Sequence, residues 1–216
     1  MKRREAVQYI SLLLGGTIIG SNYFLEGCKS KTGVSMIFSP EDIAFLDEVA
    51  DTILPPTKTP GAKAAKVGQF MTVMVNDCYE AADQKIFHEG MSKLDEASNK
   101  KNGKSFIESS TQQRHDLLSE IDKELKDYKK KTDDYFDAFP DEQKHEIAMQ
   151  KNKDGMDAKT KKMREYPNYY FTMMKELTLL GYFTSEIGCR QAMRYVETPG
   201  KFEGCVPYAK GDKAWA

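Results

Sequence analysis

Apolar residues recur at helical spacing through most of the chain after residue 38. Ser39 and Pro40 begin the first such segment, because Ser is a favoured N-cap and Pro fits the first helical position. The helix must end before Pro55-Pro56, because a residue that precedes proline is disfavoured in helical conformation. Its apolar face consists of Ile43, Leu46, Val49, Ala50, Ile53 and Leu54.

Three further segments show the same period. One begins at Val67 and places Cys78 on its apolar face, which favours a small buried residue over a reactive thiol. The next spans 82–96 and ends before a polar turn at 99–103. A third follows Thr111, which can serve as its N-cap.

The second half of the chain contains two segments of opposite character. Over 126–165, charges of both signs dominate, which is typical of exposed amphipathic helices or an insertion; a docking surface is the alternative. The segment 169–180 is apolar on nearly all sides, which predicts a helix buried in the core or against a partner. Gly181 ends that helix, another follows over 184–196, and the tail 198–216 is irregular.

These patterns predict an all-α fold, because no alternating strand pattern of useful length occurs. We expect a single helical domain over 39–216, with about six to eight helices, a charged insertion at about 126–165 and an irregular C-terminal tail. The chain has 32 basic and 33 acidic residues and a formal net charge of -1. That balance argues against a nucleic-acid partner, which requires a basic excess.

The first 27 residues have the features of a bacterial export signal. Arg3 and Arg4 precede a largely apolar run, and paired arginines indicate the twin-arginine route, which carries folded proteins. The run ends in Leu25-Glu26-Gly27-Cys28, which is typical of a lipoprotein cleavage site with lipid attached to Cys28. An ordinary cleaved signal and an uncleaved membrane anchor are the alternatives.

On this interpretation the mature chain is lipid-anchored on the periplasmic side of a bacterial membrane, and residues 28–38 form a tether. Cys78, Cys189 and Cys205 then lie in an oxidising compartment. An odd number favours one disulfide and one free thiol. Cys189 with Cys205 would close a short loop, and Cys78 is the alternative partner for either.

Recognisable catalytic and cofactor motifs are missing from the sequence. It has no glycine-rich phosphate loop, no covalent-haem motif and no clustered cysteine pairs. His88, His115 and His145 lie among polar residues without metal-ligand spacing, so we expect them at the surface. The sequence therefore predicts no catalytic residue, no metal ligand and no cofactor bound by this chain.

Two stretches carry a family resemblance. The first is Asp51-Thr52-Ile53-Leu54-Pro55, followed by Thr59-Pro60-Gly61-Ala62 and Val67. The second is Leu177-Thr178-Leu179-Leu180-Gly181-Tyr182-Phe183-Thr184-Ser185-Glu186, followed by Pro199-Gly200. Together they resemble the gluconate 2-dehydrogenase subunit 3 family over most of the mature chain, and the charged stretch at 126–165 departs from that pattern.

The resemblance implies a small, non-catalytic accessory subunit. Members of this family accompany a large sugar or polyol dehydrogenase of the glucose–methanol–choline type. FAD is expected in that large subunit, and electrons often pass on to a cytochrome subunit. The small subunit commonly carries the twin-arginine signal for both proteins.

This implied partner gives the apolar helix a second role. We expect residues 169–182 to pack partly in the core and partly against the large subunit, as obligate interfaces do. The candidate contacts are Tyr170, Phe171, Met174, Tyr182 and Phe183, and a purely core role is the alternative for each. Two other functions stay open: a free-standing lipoprotein that binds a sugar or an envelope protein, and a hydrolase without a recognisable motif.

Overall fold

A computed structural model describes residues 38–150, 157–198, 200–201 and 204–215. This part of the chain is all-α, as predicted, and contains no multi-residue strand. The predicted signal peptide, with Arg3, Arg4 and Cys28, lies outside the described residues. The helices are α1 (Pro40–Ile53), α2 (Val67–Cys78), α3 (Ala81–Asn102), α4 (Thr111–Asp137), α5 (Asp141–Met149), α6 (Ala158–Arg164) and α7 (Tyr169–Phe183), followed by a π-helical turn (Gly188–Ala192).

Serine caps begin two of the helices. Ser39 caps α1 as predicted: its hydroxyl accepts a hydrogen bond from Asp42 N at 3.1 Å, and the Asp42 carboxylate accepts one from Ser39 N at 2.8 Å. The expected cap of α4 is wrong by one residue, because Thr111 is already helical and Ser110 caps it. Ser110 forms the same reciprocal pair with Gln113. Both helix starts therefore follow from local sequence alone.

The helix α3 is longer than expected. It continues through the predicted polar turn to Asn102, and Gly103 then ends it with a φ of 68°. Lys100 and Lys101 lie in the last turn, where positive charge stabilises the negative end of the helix dipole. Polar residues at 99–102 therefore extend this helix instead of breaking it.

The helix α7 lies at the centre of the fold and packs against α1, α2, α3 and α4. This confirms the prediction that the apolar segment is buried. Its inward side chains include Phe171, Met174 and Leu177, each at most 2% exposed. Of the helices in the described ranges, none is long and apolar enough to cross a membrane.

The end of α7 differs from the prediction. Gly181 does not end the helix, which continues to Phe183. A Cβ at Gly181 would lie 2.6 Å from Phe70 Cδ1, so the glycine allows α2 to approach closely. Of the helix expected over 184–196, only residues 186–192 are helical, and they end in the π-helical turn. Beyond that turn Arg194 N donates to Ala214 O at 2.7 Å, which pairs this segment with the tail.

The prediction for Cys78 is also wrong. The inner face of α2 consists of Val67, Met71 and Val75, which are all fully buried. Cys78 is the last residue of this helix and is exposed. The helical period places it in line with the buried face, but the helix ends there.

The charged stretch forms the second half of α4, then α5 and α6. Contacts to the rest of the fold hold α6 in place. Tyr128 donates its hydroxyl to Lys162 O at 2.9 Å and stacks on Tyr166 with ring centroids 4.3 Å apart. Arg164 Nε donates to Asp83 Oδ1 at 2.6 Å and joins α6 to α3. The helix α6 is therefore packed onto α3 and α4.

Candidate functional site

The two stretches that carry the family resemblance meet in the structure. Tyr182, in α7, donates its hydroxyl to Pro60 O at 2.8 Å, although the two residues are 122 positions apart. Tyr182 is buried, and an unpaired buried hydroxyl would cost about 1–3 kcal/mol. We call this contact and the surrounding loop between α1 and α2 the motif junction.

Hydrogen bonds from the backbone of the loop and of the first turn of α2 to acids of α1 fix the path of the loop. Asp51 Oδ1 accepts from Lys63 N at 3.2 Å, and Asp47 Oδ1 accepts from Gly68 N at 2.8 Å. Burial raises the pKa of Asp47, and the bond from Gly68 only partly offsets this. Both carboxylates therefore help to hold the loop against α1.

Gly61 lies where the loop passes closest to α1. A Cβ there would be 2.4 Å from Asp51 Oδ1 and 2.8 Å from Pro56 N. Any larger residue would collide with the backbone of Pro56 in the same loop, so the loop next to Pro60 would have to shift. A glycine at this position is therefore a requirement of the motif junction.

An ion-pair cluster also supports this loop. Glu48 of α1 pairs with Lys63 of the loop and with Arg114 of α4. Burial alone would raise the pKa of Glu48, but the hydrogen bonds and charges of Lys63 and Arg114 outweigh it and lower the pKa. The cluster therefore joins the loop to two helices.

Four of the five candidate partner contacts lie inside the core of the chain. Tyr170, Phe171, Met174 and Tyr182 are each at most 5% exposed. Burial raises the pKa of Tyr170 to about 12. In this conformation these four side chains fill the core, which is the alternative that the sequence left open. The expectation of partner contact remains for Phe183.

Phe183 belongs to an exposed apolar surface at the end of α7. Phe183, Leu179 and Leu180 are 38%, 43% and 47% exposed, and we call these three residues the apolar stripe. Apolar patches of this kind are typical of protein interfaces. The sequence did not single out Leu179 and Leu180 as exposed, because a helix that is apolar on all sides gives no signal for its outer face.

The predicted disulfide is absent from the structure. Cys189 and Cys205 are free thiols, as is Cys78. The Cys189 thiol donates to Phe183 O at 3.1 Å and so faces the end of α7, while Cys205 is exposed in the tail. The structure therefore does not show the pairing of Cys189 with Cys205 that the odd number of cysteines favoured.

The histidines and acids form no metal site in the described ranges: no group of three or more potential ligands occurs there. His88 differs from the expectation of a surface position. It is half-buried and stacks on Phe38 with ring centroids 4.1 Å apart, and burial lowers its pKa. This histidine packs against the core.

Comparison with known protein families gives a match that covers most of the chain. The family model described as gluconate 2-dehydrogenase subunit 3 matches residues 40–200. The matched range includes both sides of the motif junction and the apolar stripe. Comparisons with curated proteins and with solved structures give no match.

Proposed function

The chain belongs to the gluconate 2-dehydrogenase subunit 3 family, and on this basis we propose that it is the non-catalytic small subunit of a periplasmic sugar or polyol dehydrogenase. Membership associates the chain with a dehydrogenase complex. The catalytic partner in this proposal is a large FAD-dependent subunit of the glucose–methanol–choline type, which passes electrons to a cytochrome subunit. The observation that carries the proposal is the family match over residues 40–200.

The apolar stripe supports an assembly role. Leu179, Leu180 and Phe183 expose apolar area beside the motif junction, and the helix that carries them is packed against four others. A rigid helix with exposed apolar side chains suits a stable interface, because little further ordering is needed on binding. We propose that the large subunit covers this stripe.

The N-terminal sequence supports an export and anchoring role. Arg3 and Arg4 suit the twin-arginine route, and a flavoprotein must fold around FAD before it can use that route. One signal on the small subunit then exports the preassembled pair. Lipid on Cys28 would hold the pair at the membrane, since each buried CH₂ group contributes about 0.8 kcal/mol.

Co-expression with the dehydrogenase subunit tests this function. Dehydrogenase activity should reach the periplasmic side of the membrane with the full chain and stay in the cytoplasm with Arg3→Lys/Arg4→Lys. Cys28→Ala should leave export intact but release activity into the soluble periplasm. Equal export of the dehydrogenase without this chain would contradict the proposal.

One observation favours a second candidate, a sugar-binding lipoprotein. The tail and the segment after the π-helical turn enclose a cleft of about 800 Å³ with Tyr208 and Trp215 exposed at its wall. Exposed aromatic rings beside polar groups suit sugar recognition. Titration calorimetry of the full chain with glucose and gluconate checks this: no heat of binding removes the second candidate, and binding abolished by Trp215→Ala supports it.

A further inference from the structure

A groove separate from the motif junction runs between α4, α6 and α7. Its volume is about 460 Å³. Part of its wall is apolar, from Leu125, Met163, Tyr169 and Leu179. We call it the lysine groove, because each of the three helices also contributes at least one lysine to it.

Positive charge exceeds negative charge in the lining of the groove. Its lysines are Lys126, Lys129, Lys159 and Lys175, and its acids are Asp122 and Glu176. Lys159 also pairs with Asp133, outside the lining, at 2.6 Å. The groove therefore attracts acidic groups.

A single carboxylate serves two of these lysines. Asp122 Oδ2 lies 2.8 Å from Lys126 Nζ, and Asp122 Oδ1 pairs with Lys175. Burial raises the pKa of Asp122, but the hydrogen bonds from both lysines outweigh this and lower it. Lys129 forms no ion pair with any described residue. Two ammonium groups share one acid and a third has none, so incoming carboxylates find unused positive charge.

The wall of the groove contains a hydroxyl without a partner. Thr172 Oγ1 is buried and has no hydrogen-bond partner in the described part of the chain. A helical threonine normally satisfies its hydroxyl with a carbonyl one turn earlier, as Thr178 does with Met174 O at 2.7 Å. A bound polar group can supply the contact that Thr172 lacks.

The groove is continuous with the apolar stripe. Leu179 lines the groove and is also the first residue of the stripe. Any partner that covers the stripe therefore also contacts the wall of the groove at Leu179. The combination of apolar wall and lysines suits one face of an amphipathic helix better than a small free anion, which would use the charges alone.

We propose that the lysine groove binds an acidic amphipathic helix of the large flavin-dependent subunit. The apolar side chains of that helix pack on Leu125, Met163 and Leu179, and its carboxylates pair with Lys126 and Lys129. This inference rests on the proposed function and specifies where on this chain the partner docks and which chemistry the partner presents.

Charge reversal with a matched control tests the inference. The tagged full-length chain is co-expressed with the dehydrogenase subunit as wild type, as Lys126→Glu/Lys129→Glu, and as Lys85→Glu/Lys93→Glu. The control pair lies exposed on α3, which does not line the groove, and changes the net charge equally. The readout is the flavin absorbance and the amount of dehydrogenase that co-purify with each variant.

The groove pair should reduce the co-purified flavoprotein by about tenfold or more, because like charges at an interface repel, while the control pair stays within about twofold of wild type. Equal recovery with the groove pair and with wild type overturns the groove inference and leaves the proposed function intact. If wild type itself recovers no flavoprotein, the proposed function fails.

Two further measurements keep the test decisive if Lys126→Glu/Lys129→Glu does not fold. Lys126→Gln/Lys129→Gln removes the charges without reversing them and should give an intermediate loss. The wild-type complex should also weaken as NaCl rises from about 0.05 M to about 0.5 M, because salt screens exposed charge pairs. A salt-insensitive complex overturns the inference. The inference is also overturned if Lys126→Glu/Lys129→Glu no longer binds phosphatidylglycerol vesicles but recovers as much flavoprotein as wild type. The groove would then bind the membrane.

Discussion

The motif junction and the charged stretch at 126–165 are both held to the fold, but by different kinds of interaction. At the junction the Tyr182 side chain is buried and its hydroxyl donates to Pro60 O, and Phe70 lies against Gly181. In the charged stretch, exposed ion pairs such as Lys159 with Asp133 dominate. Removing one partner of a buried hydrogen bond costs about 1–3 kcal/mol of stability, whereas a single exposed charge pair contributes about 0–1 kcal/mol.

This difference predicts different structural roles for the two regions. The junction fixes the geometry of α7 and hence of the apolar stripe, and few substitutions there keep that geometry. We expect the charged stretch to tolerate more substitutions than the junction, because exposed charge pairs contribute little individually. Three of the four lysines of the lysine groove come from it: Lys126, Lys129 and Lys159.

The largest expected effect is the loss of a core side chain from α7, the helix that carries Tyr182. Met174 is fully buried, so Met174→Ala should lower the free energy of unfolding by about 2–5 kcal/mol. Met149, in the charged stretch, is 70% exposed, and Met149→Ala should change it by less than about 0.5 kcal/mol. Urea unfolding followed by circular dichroism compares the two, and similar losses would erase the distinction between the regions.

Glu48→Gln should have the next largest effect. The change leaves Arg114, which is largely buried, without its carboxylate and should cost about 1–3 kcal/mol at neutral pH. The pKa of Glu48 in the folded chain lies below its ordinary value of 4.5, so its stabilisation is present above that pH and is lost as the pH falls further. The difference in stability between wild type and variant should therefore narrow below about pH 4.5. A difference that stays constant down to the acid transition would show that Glu48 is not held as a carboxylate.

A smaller effect is expected from single hydroxyl groups. Tyr182→Phe removes the donor to Pro60 O and should cost about 0.5–1.5 kcal/mol. Tyr135 of the charged stretch is half exposed, and Tyr135→Phe should be neutral within about 0.5 kcal/mol. The measurement is the thermal midpoint of each variant. Identical midpoints for Tyr182→Phe and wild type would mean that the junction does not depend on this bond.

The smallest effect should come from an exposed ion pair. Lys159→Ala removes the contact with Asp133 and should cost less than about 1 kcal/mol. Because such pairs are screened, even this loss should shrink as NaCl rises to about 1 M. Unfolding curves at low and high salt check it, and a loss that salt leaves unchanged would point to packing by Lys159.

Local signals in the sequence were enough to place most helices. The Ser39-Pro40 start of α1 and the buried character of α7 depend on neighbouring residues, and the structure confirms both. Predictions were wrong where the structure depends on more than neighbouring residues. Gly181 was expected to end α7, because the sequence does not reveal that Phe70 packs against it. Cys78 follows the helical period of α2, but the period does not reveal where the helix ends.

The candidate site was predictable only in part. The sequence identified both stretches of the motif junction, but not the bond between Tyr182 and Pro60 across 122 positions. It named Phe183 as a candidate partner contact, but not its exposed neighbours Leu179 and Leu180. The lysine groove was beyond reach, because its lysines lie on three helices whose arrangement depends on tertiary packing.

Affinity purification of the tagged chain from its native membranes tests the central claim most directly. We predict that a large subunit co-elutes and that the eluate shows the visible absorbance of oxidised flavin. Elution of this chain alone, without colour, from membranes that contain active dehydrogenase would contradict its assignment as the small subunit of that complex.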